Sequence, residues 1–359
     1  MNNRIAGFDL ARALAIFSMI IVNFKIVMGG KYGNSFLMTF TELFEGRASA
    51  LFVVLAGMGI TFLAHRSELK TSNFEKFRIQ ISLFKRAILL IGLGYLFTLI
   101  WPADILHFYG FYFLIGLVSI KLSDKNLLRL TIAIIFIFPV LMFFIDYGHG
   151  WNWKTLSYQN FWSLDGILRH QFFNGFHPVF PWSAFLVFGM WLGRKTLLER
   201  KTQKLLFLVA LSGVVFIEAS FYGLRLFASD NSEFGLLNDE VTFLFSTSII
   251  PPLPQYMISA VCSSMMIIVA CVYIYQNNQQ SYLLKCLAKT GQLSLSIYIA
   301  HVILGMGLIE LLGLFDTSSI EIAFLSAISF CILSIVFSNV WLKFFKLGPF
   351  EILFKKAVS

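Results

Sequence analysis

Three short constellations in this sequence carry side chains suited to acid–base or anion chemistry. In the segment Trp101-Pro102-Ala103-Asp104-Ile105-Leu106-His107-Phe108-Tyr109-Gly110, Pro102 breaks one helix and Asp104 is placed to cap the next. His107 follows Asp104 at i, i+3, a spacing that lets a carboxylate orient and charge an imidazole acting as a general base. Tyr109 stands beside them as a hydrogen-bond donor. The plainer alternative is an Asp104 that serves only as a cap. Further along, Ser294, Tyr298 and His301 share one helical face at i, i+4, i+7. His301 is then either a second catalytic group or a neutral core histidine with one interhelical bond. Near the start, Asp9 and Arg12 lie three apart on one helical face. They either pair with each other, with Arg12 reaching for the interface, or Arg12 receives an anionic ligand from the cytoplasm.

These residues sit in apolar surroundings, where an ionisable side chain is costly and marks a functional candidate. Of the 359 residues, 58% are hydrophobic and 13% charged, with a mean hydropathy of +0.77. An ordinary soluble domain carries roughly 25% charged residues. The balance excludes a soluble enzyme and a disordered chain, and it argues against a nucleic-acid reader despite the net charge of +9. It predicts an all-α, polytopic membrane protein of about ten transmembrane helices. The spans fall near 6–28, 46–64, 83–101, 104–122, 127–146, 178–194, 203–228, 255–276, 292–314 and 320–345.

Charge orients them. Alternate loops hold Arg4, Lys85, Arg86, Lys121, Lys125, Arg129, Arg194, Lys195, Lys285, Lys289, Lys343 and Lys346. The opposite loops hold Lys31, Lys154 and Arg169 but many acids, among them Asp104, Asp146, Asp165, Asp316 and Glu321. The positive-inside rule therefore predicts both termini in the cytoplasm, with the basic face toward anionic headgroups of the lipid bilayer. The chain reads as one transmembrane domain, 1–359, with two sizeable outer loops at about 147–177 and 229–254. The first loop, rich in Trp, Asn, Gly and His, is suited to cover an outward cavity.

Other signals are weaker or absent. Cys262, Cys271 and Cys331 fall in apolar runs and Cys286 in a basic loop. None has CxxC spacing, so neither a metal site nor a disulfide framework is expected. No Walker phosphate loop, HExxH or GxSxG occurs, against an ATP-driven pump or a metalloprotease. Arg47 opens the second span as an interfacial anchor or a substrate contact, and Asn23 either bonds a neighbouring helix or faces a substrate. His170 and His177 precede the short sixth span. Glu218, Arg225 and Glu310 lie near bilayer depth with no spacing that sharpens their role.

Several of these pieces occur together in a known order. Arg4…Phe8-Asp9-Leu10-Ala11-Arg12-Ala13…Asn23 is followed by Arg47 to Gly59, Asp104-Ile105-Leu106…Tyr109-Gly110 and His177-Pro178…Pro181-Trp182…Gly189…Gly193-Arg194. Then come Gly291-Gln292-Leu293-Ser294-Leu295-Ser296-Ile297-Tyr298 and the closing Phe337-Ser338-Asn339-Val340-Trp341-Leu342-Lys343…Gly348-Pro349-Phe350-Glu351. Nearly end to end, the chain resembles the YeiB-type bacterial membrane proteins, a domain-of-unknown-function family (418). That family is similar to the transmembrane acyltransferases that include the acyltransferase-3 enzymes and heparan-α-glucosaminide N-acetyltransferase.

The resemblance implies acetyl-CoA or another acyl-CoA as cytoplasmic donor and an extracytoplasmic envelope glycan or small molecule as acceptor, in a bacterial inner membrane. It matches Arg12 and Arg194 to motif positions that would meet the phosphates, with Lys85, Arg86 and Lys195 added by charge and side. Acyltransferase-3 proteins carry a catalytic histidine where this chain has Asn23. The heparan enzyme has asparagine there and uses a histidine from the following outer loop, but residues 29–45 here contain none. A substitute base is required, and His107, Asp104, His301 and His177 are the candidates. The reading favoured here is an acyltransferase with His107 as base, Asp104 orienting it, and Tyr109 or His301 as donor, with Asn23, Arg47 and His177 facing substrate and no metal. The rival readings are a transporter or exporter of a small organic molecule and a non-catalytic assembly protein.

Overall fold

In the computed structural model the chain is helical almost throughout. The structure describes residues 4–68, 73–153, 155–230 and 238–358. Lys154 and part of the loop at 229–254 lie outside them. Among the described residues, eight helical stretches are at least 18 residues long and apolar enough to cross a membrane. Two further apolar helices, Leu106–Ser119 and Val179–Leu192, are shorter than that length. The protein is an all-α, multi-pass membrane protein.

The chain divides into two compact units: one of Met1–Phe52, Thr196–Phe207 and Ser264–Ser359, the other of Val53–Lys195 and Leu208–Ser263.

The first unit is built around α1, Ala6–Met28. Its sequence is predominantly apolar, so most of it is buried, and Ala11, Ala13, Ala15, Ile16 and Ile20 are fully enclosed. Asp9 sits in the first turn, where a negative charge is stabilised by the positive end of the helix dipole. Gly29 ends the helix with φ 71°, a left-handed cap that L side chains resist. A short helix α2, Ser35–Glu42, follows and starts where the Asn34 side chain accepts the Leu37 N–H. The expected spans 6–28 and 46–64 leave 29–45 between them as a loop, and the capping asparagine is the signal for the helix. The unit then takes the opening turn of α3, which spans Arg47–Glu68.

Its later part holds α12, Tyr282–Gln292, capped by Ser281. Cys286 lies buried inside this helix rather than in a basic loop. Its amphipathic pattern, with lysines outward, had read as loop composition. Leu293 breaks the helix and α13, Ser294–Ala300, begins. The expected ninth span is therefore not one regular helix. It runs through α13, a π-helical turn His301–Met306 and α14, Gly307–Leu311. The long α15, Ile320–Phe344, and α16, Pro349–Val358, complete the unit. A side chain at Gly291 would place its Cβ 1.8 Å from the Asp9 carbonyl oxygen, so α1 and α12 meet at backbone distance.

The second unit holds the rest of α3, then α4 (Asn73–Phe97), α5 (Leu106–Ser119) and α6 (Asp124–Met142). After α6 comes a two-stranded antiparallel ribbon, β1 (Trp151–Asn152) with β2 (Ser157–Tyr158). Next are α7 (Leu164–Arg169), a π-helical turn His170–Asn174 and α8 (Val179–Leu192). Most of α9 (Arg200–Asp230), α10 (Asn238–Phe245) and the start of α11 (Pro254–Asn277) follow. Glycines set the closest contacts. Gly94 faces the His107 backbone and Gly110 faces Ala87 and Ile91, which locks α4 to α5. Gly57 meets the Leu186 carbonyl while Gly189 meets that of Val54, a reciprocal seam between α3 and α8.

Candidate functional site

In the first unit, Asn23 Nδ2 lies 2.9 Å from His301 Nε2. His301 is fully buried. Its other ring nitrogen, Nδ1, contacts the Tyr298 carbonyl oxygen. A carbonyl only accepts, so the Nδ1 position carries the proton and Nε2 presents a lone pair to the Asn23 amide. The fold fixes this arrangement. Asn23 stands near the C-terminal end of α1, and the neighbouring Phe24 ring packs edge-on to Phe330 at 5.7 Å. His301 begins the π-helical turn, a local widening that turns its ring out of the α13 register. Two residues beyond Asn23, Lys25 pairs with Glu45 at 2.9 Å.

At the other end of α1, Asp9 is fully buried and shared by two arginines, Arg4 and Arg12. Two guanidiniums on one carboxylate leave a net positive charge. Arg4 is about half exposed and Arg12 a quarter, so that charge faces outward and suits an anionic group. Asp9 and Arg12 do pair, as their i, i+3 spacing allows, and Arg4 is the third member that the spacing alone does not reveal.

The second unit carries the Asp104–His107 constellation. Asp104 Oδ2 accepts the Leu106 N–H at 2.7 Å, the capping role. The same oxygen is 3.6 Å from His107 Nδ1, beyond hydrogen-bond length. Both ring nitrogens of His107 are buried without a hydrogen-bond partner among the described residues. Tyr109 is on the opposite side of α5, since residues two apart on a helix do not face each other. Its ring packs against Phe113 at 5.7 Å.

His107 belongs to an aromatic cluster that the sequence had not assembled. Its ring is 5.1 Å from Tyr95 and 6.1 Å from His170. Phe108 lies 5.5 Å from His170 and 6.1 Å from His177. Trp182 stands edge-on to His177 at 4.6 Å. His170 Nδ1, Gln171 Nε2, His177 Nδ1, Trp182 Nε1 and Ser183 Oγ are likewise buried without a hydrogen-bond partner. The loop at 147–177 supplies His170 through its π-helical turn, within an aromatic box of Trp151, Tyr158, Phe161 and Phe176. Burial there pushes the His170 pKa down to about 3, with the nearby His107 adding to the effect. His177 is lowered to about 3 for the same leading reason. The one legible signal was the density of Trp and His in 147–177.

The remaining expected residues fall as follows. Arg194 donates to the carbonyls of Leu122 at 2.7 Å and Ile120 at 3.1 Å, and to Asp124 at 3.1 Å. It thereby caps the end of α5. Lys195 reaches the same Asp124 at 2.6 Å. Lys85 and Arg86 lie on the exposed side of α4. Arg47 is half-buried at the start of α3. Arg12, Asn23, Arg47 and His301 belong to the first unit, and Lys85, Arg86, Asp104, His107, Tyr109, His177, Arg194 and Lys195 to the second. Glu218, in the second unit, accepts from the Thr247 and Ser259 hydroxyls at 2.7 and 2.6 Å. Among the described residues, no three or more of His, Cys, Asp and Glu converge to hold a metal ion.

Two family profiles match the chain. One, described as the catalytic domain of heparan-alpha-glucosaminide N-acetyltransferase, covers residues 4–224. The other, described as a protein of unknown function (DUF418), covers residues 192–359. The chain is also similar to the uncharacterized protein YxaH of Bacillus subtilis, at 23% identity over 99% of this chain and 94% of that protein. Asn23 comes from the first matched segment and His301 from the second, so their hydrogen bond joins the two.

Proposed function

We propose, for a chain that belongs to the family of the heparan-alpha-glucosaminide N-acetyltransferase catalytic domain, that His301 is the base of a transmembrane acyl transfer. The family is membrane-bound and acetyltransferase-like. The donor in this proposal is cytoplasmic acetyl-CoA or a related acyl-CoA. The acceptor is a hydroxyl or amine on an extracytoplasmic glycan or small molecule. The protein lies in the bacterial inner membrane with both termini in the cytoplasm, as the loop charges favour.

The observation that carries the reading is the 2.9 Å contact between Asn23 Nδ2 and His301 Nε2. The acceptor group takes the place of the Asn23 amide at Nε2 and gives its proton to that nitrogen. Its oxygen or nitrogen then attacks the thioester carbonyl. The freed Asn23 N–H donates to the oxyanion. As the C–S bond breaks, the imidazolium returns the proton to the leaving thiolate, so the products are acylated acceptor and free CoA. The Nδ1 proton, held by the Tyr298 carbonyl, directs proton uptake to Nε2. At the other end of α1, Arg4 and Arg12 supply the positive charge for the donor's phosphates.

The test uses inside-out membrane vesicles containing the protein, radiolabelled acetyl-CoA outside and an envelope extract within. Transfer of label into the extract, lost in His301→Ala and undiminished in His107→Ala, is the expected result. Full transfer by folded His301→Ala protein overturns the assignment. In purified protein, acetyl-CoA should raise the apparent melting temperature saturably, and Arg12→Ala should weaken that response.

A further inference from the structure

The helix that carries His301 begins without a side-chain cap of its own. Leu293, at its N-cap position, offers no polar group, yet the first N–H groups of any helix need acceptors. Glu351, from the first turn of α16, supplies them. Its Oε1 accepts the N–H of Leu295 at 3.0 Å and of Ser296 at 3.2 Å. Its Oε2 accepts the Ser296 hydroxyl. The contact is reciprocal, because the Phe350 N–H donates to Ser296 Oγ at 3.0 Å. Gly348 lets the two segments close. A Cβ there would lie 2.1 Å from Glu351 Oε2 and 2.7 Å from Ser296 Oγ.

From this clasp we infer that Glu351 is a positioning residue for the transfer reaction, setting the orientation of His301 through α13. The inference rests on the reading of His301 as base. A carboxylate on helix N–H groups is a charge-assisted contact with the positive end of the helix dipole. It fixes the start of a helix that is little more than two turns long counting His301, roughly 1.5 Å of rise per residue. Tyr298, whose carbonyl holds the His301 Nδ1 proton, lies in the same short helix. A tilt of α13 therefore moves the carbonyl, the ring and the direction of the Nε2 lone pair together. Misplacement of a reacting group by about 1 Å costs on the order of 10²-fold in rate.

The experiment follows the ring and the reaction separately. Full-length protein labelled with 15N-histidine is reconstituted in nanodiscs, and the His301 ring signals are assigned from their absence in His301→Asn. In Glu351→Ala these signals are expected to shift, while the other histidines keep theirs. Glu351→Gln, whose side-chain oxygen still accepts a backbone N–H, should give an intermediate shift. In the vesicle assay Glu351→Ala should lower kcat by about 10- to 100-fold with KM for acetyl-CoA unchanged, and Glu351→Gln should restore part of it. Ser296→Ala removes only the hydroxyl contact and serves if Glu351→Ala does not fold. Unchanged His301 signals in Glu351→Gln and Ser296→Ala overturn the positioning role. If the wild type transfers no acyl group, the reading of the reaction fails while the ring signals still decide the role of Glu351.

Discussion

Asn23 and His301 stand 278 residues apart in the chain, yet they share a 2.9 Å hydrogen bond. The asparagine faces a ring nitrogen whose protonation is fixed from the other side by Tyr298. If the two act as one unit, their effects overlap. A general base contributes about 10²- to 10⁴-fold, so His301→Ala should lose at least about 10²-fold in transfer rate. Asn23→Ala should lose activity too, and the double variant should lose less than the product of the two. Multiplicative losses in the rate assay would show that the residues act independently.

The contact between Gly291 and the Asp9 carbonyl leaves no room for a methyl group. Gly291→Ala should force α1 and α12 apart and cost about 1–3 kcal/mol. Gly92 provides the contrast, for a Cβ there meets nothing within 4 Å. Gly92→Ala in the same kind of helix should be neutral or stabilise by about 0.5–1 kcal/mol. Thermal unfolding in detergent of both variants separates packing at the seam from helix propensity.

Asp9 is the buried member of its arginine pair, and removing it isolates the two charges. Asp9→Asn should destabilise more than Arg4→Ala, since Arg4 is about half exposed and such pairs contribute only about 0–1 kcal/mol. Arg12→Ala should weaken the acetyl-CoA-induced rise in melting temperature. Equal stabilities for the Asp9 and Arg4 variants would count against the burial argument.

Arg194 presents a different case. With two backbone carbonyls and Asp124 as partners, it ties the end of α5. Arg194→Ala should cost about 1–3 kcal/mol while the response to acetyl-CoA remains. Loss of that response in folded protein would restore Arg194 to the donor's phosphate contacts.

The loop histidines give a pH dependence with a definite sign. An unfolded histidine titrates near 6.5, and His170 in the folded protein titrates at about 3, chiefly through desolvation. Between those values the unfolded chain holds more protons. The stability from this group is therefore complete above pH 6.5 and falls as the pH drops toward 3. The slope reaches about 1.4 kcal/mol per pH unit for one such group. Melting temperatures measured from pH 7 to 4.5 should decline, and His170→Phe, which keeps the aromatic packing, should flatten the decline. An unchanged slope in that variant would place the titrating group elsewhere.

Apolar runs made the helical membrane architecture readable, because a span needs little more than length and hydropathy. The two short helices around His107 and Trp182 were readable for the same reason, and Asp104 declared itself as a cap. The amphipathic helices at Ser35–Glu42 and Tyr282–Gln292 were not, since lysines and serines between apolar residues also suit a loop. Asn23 and His301 each stood out as polar residues in apolar runs. Their pairing did not, because local spacing carries no information about a contact 278 residues long. Tyr109 drew notice by closeness in sequence to His107, yet helical geometry turns it away. Glu351 was visible only as part of a terminal motif, and its partner amides at Leu295 and Ser296 belong to backbone that any residue type could supply.

The packing of α1 also bears on how the protein is made. Its principal neighbours besides α2 are α12, α13 and α15, all synthesised in the last third of the chain. At about 5–20 residues per second, the ribosome needs on the order of tens of seconds to travel from Asn23 to His301. Throughout that interval the first helix is in or beside the bilayer with its buried face unclaimed and the Asn23 amide without its ring. The nascent chain must be sheltered during the delay, by lipid contacts that are later exchanged or by the insertion machinery itself. Biogenesis is thus most vulnerable after the first helix has been inserted and before the segment carrying His301 has been translated.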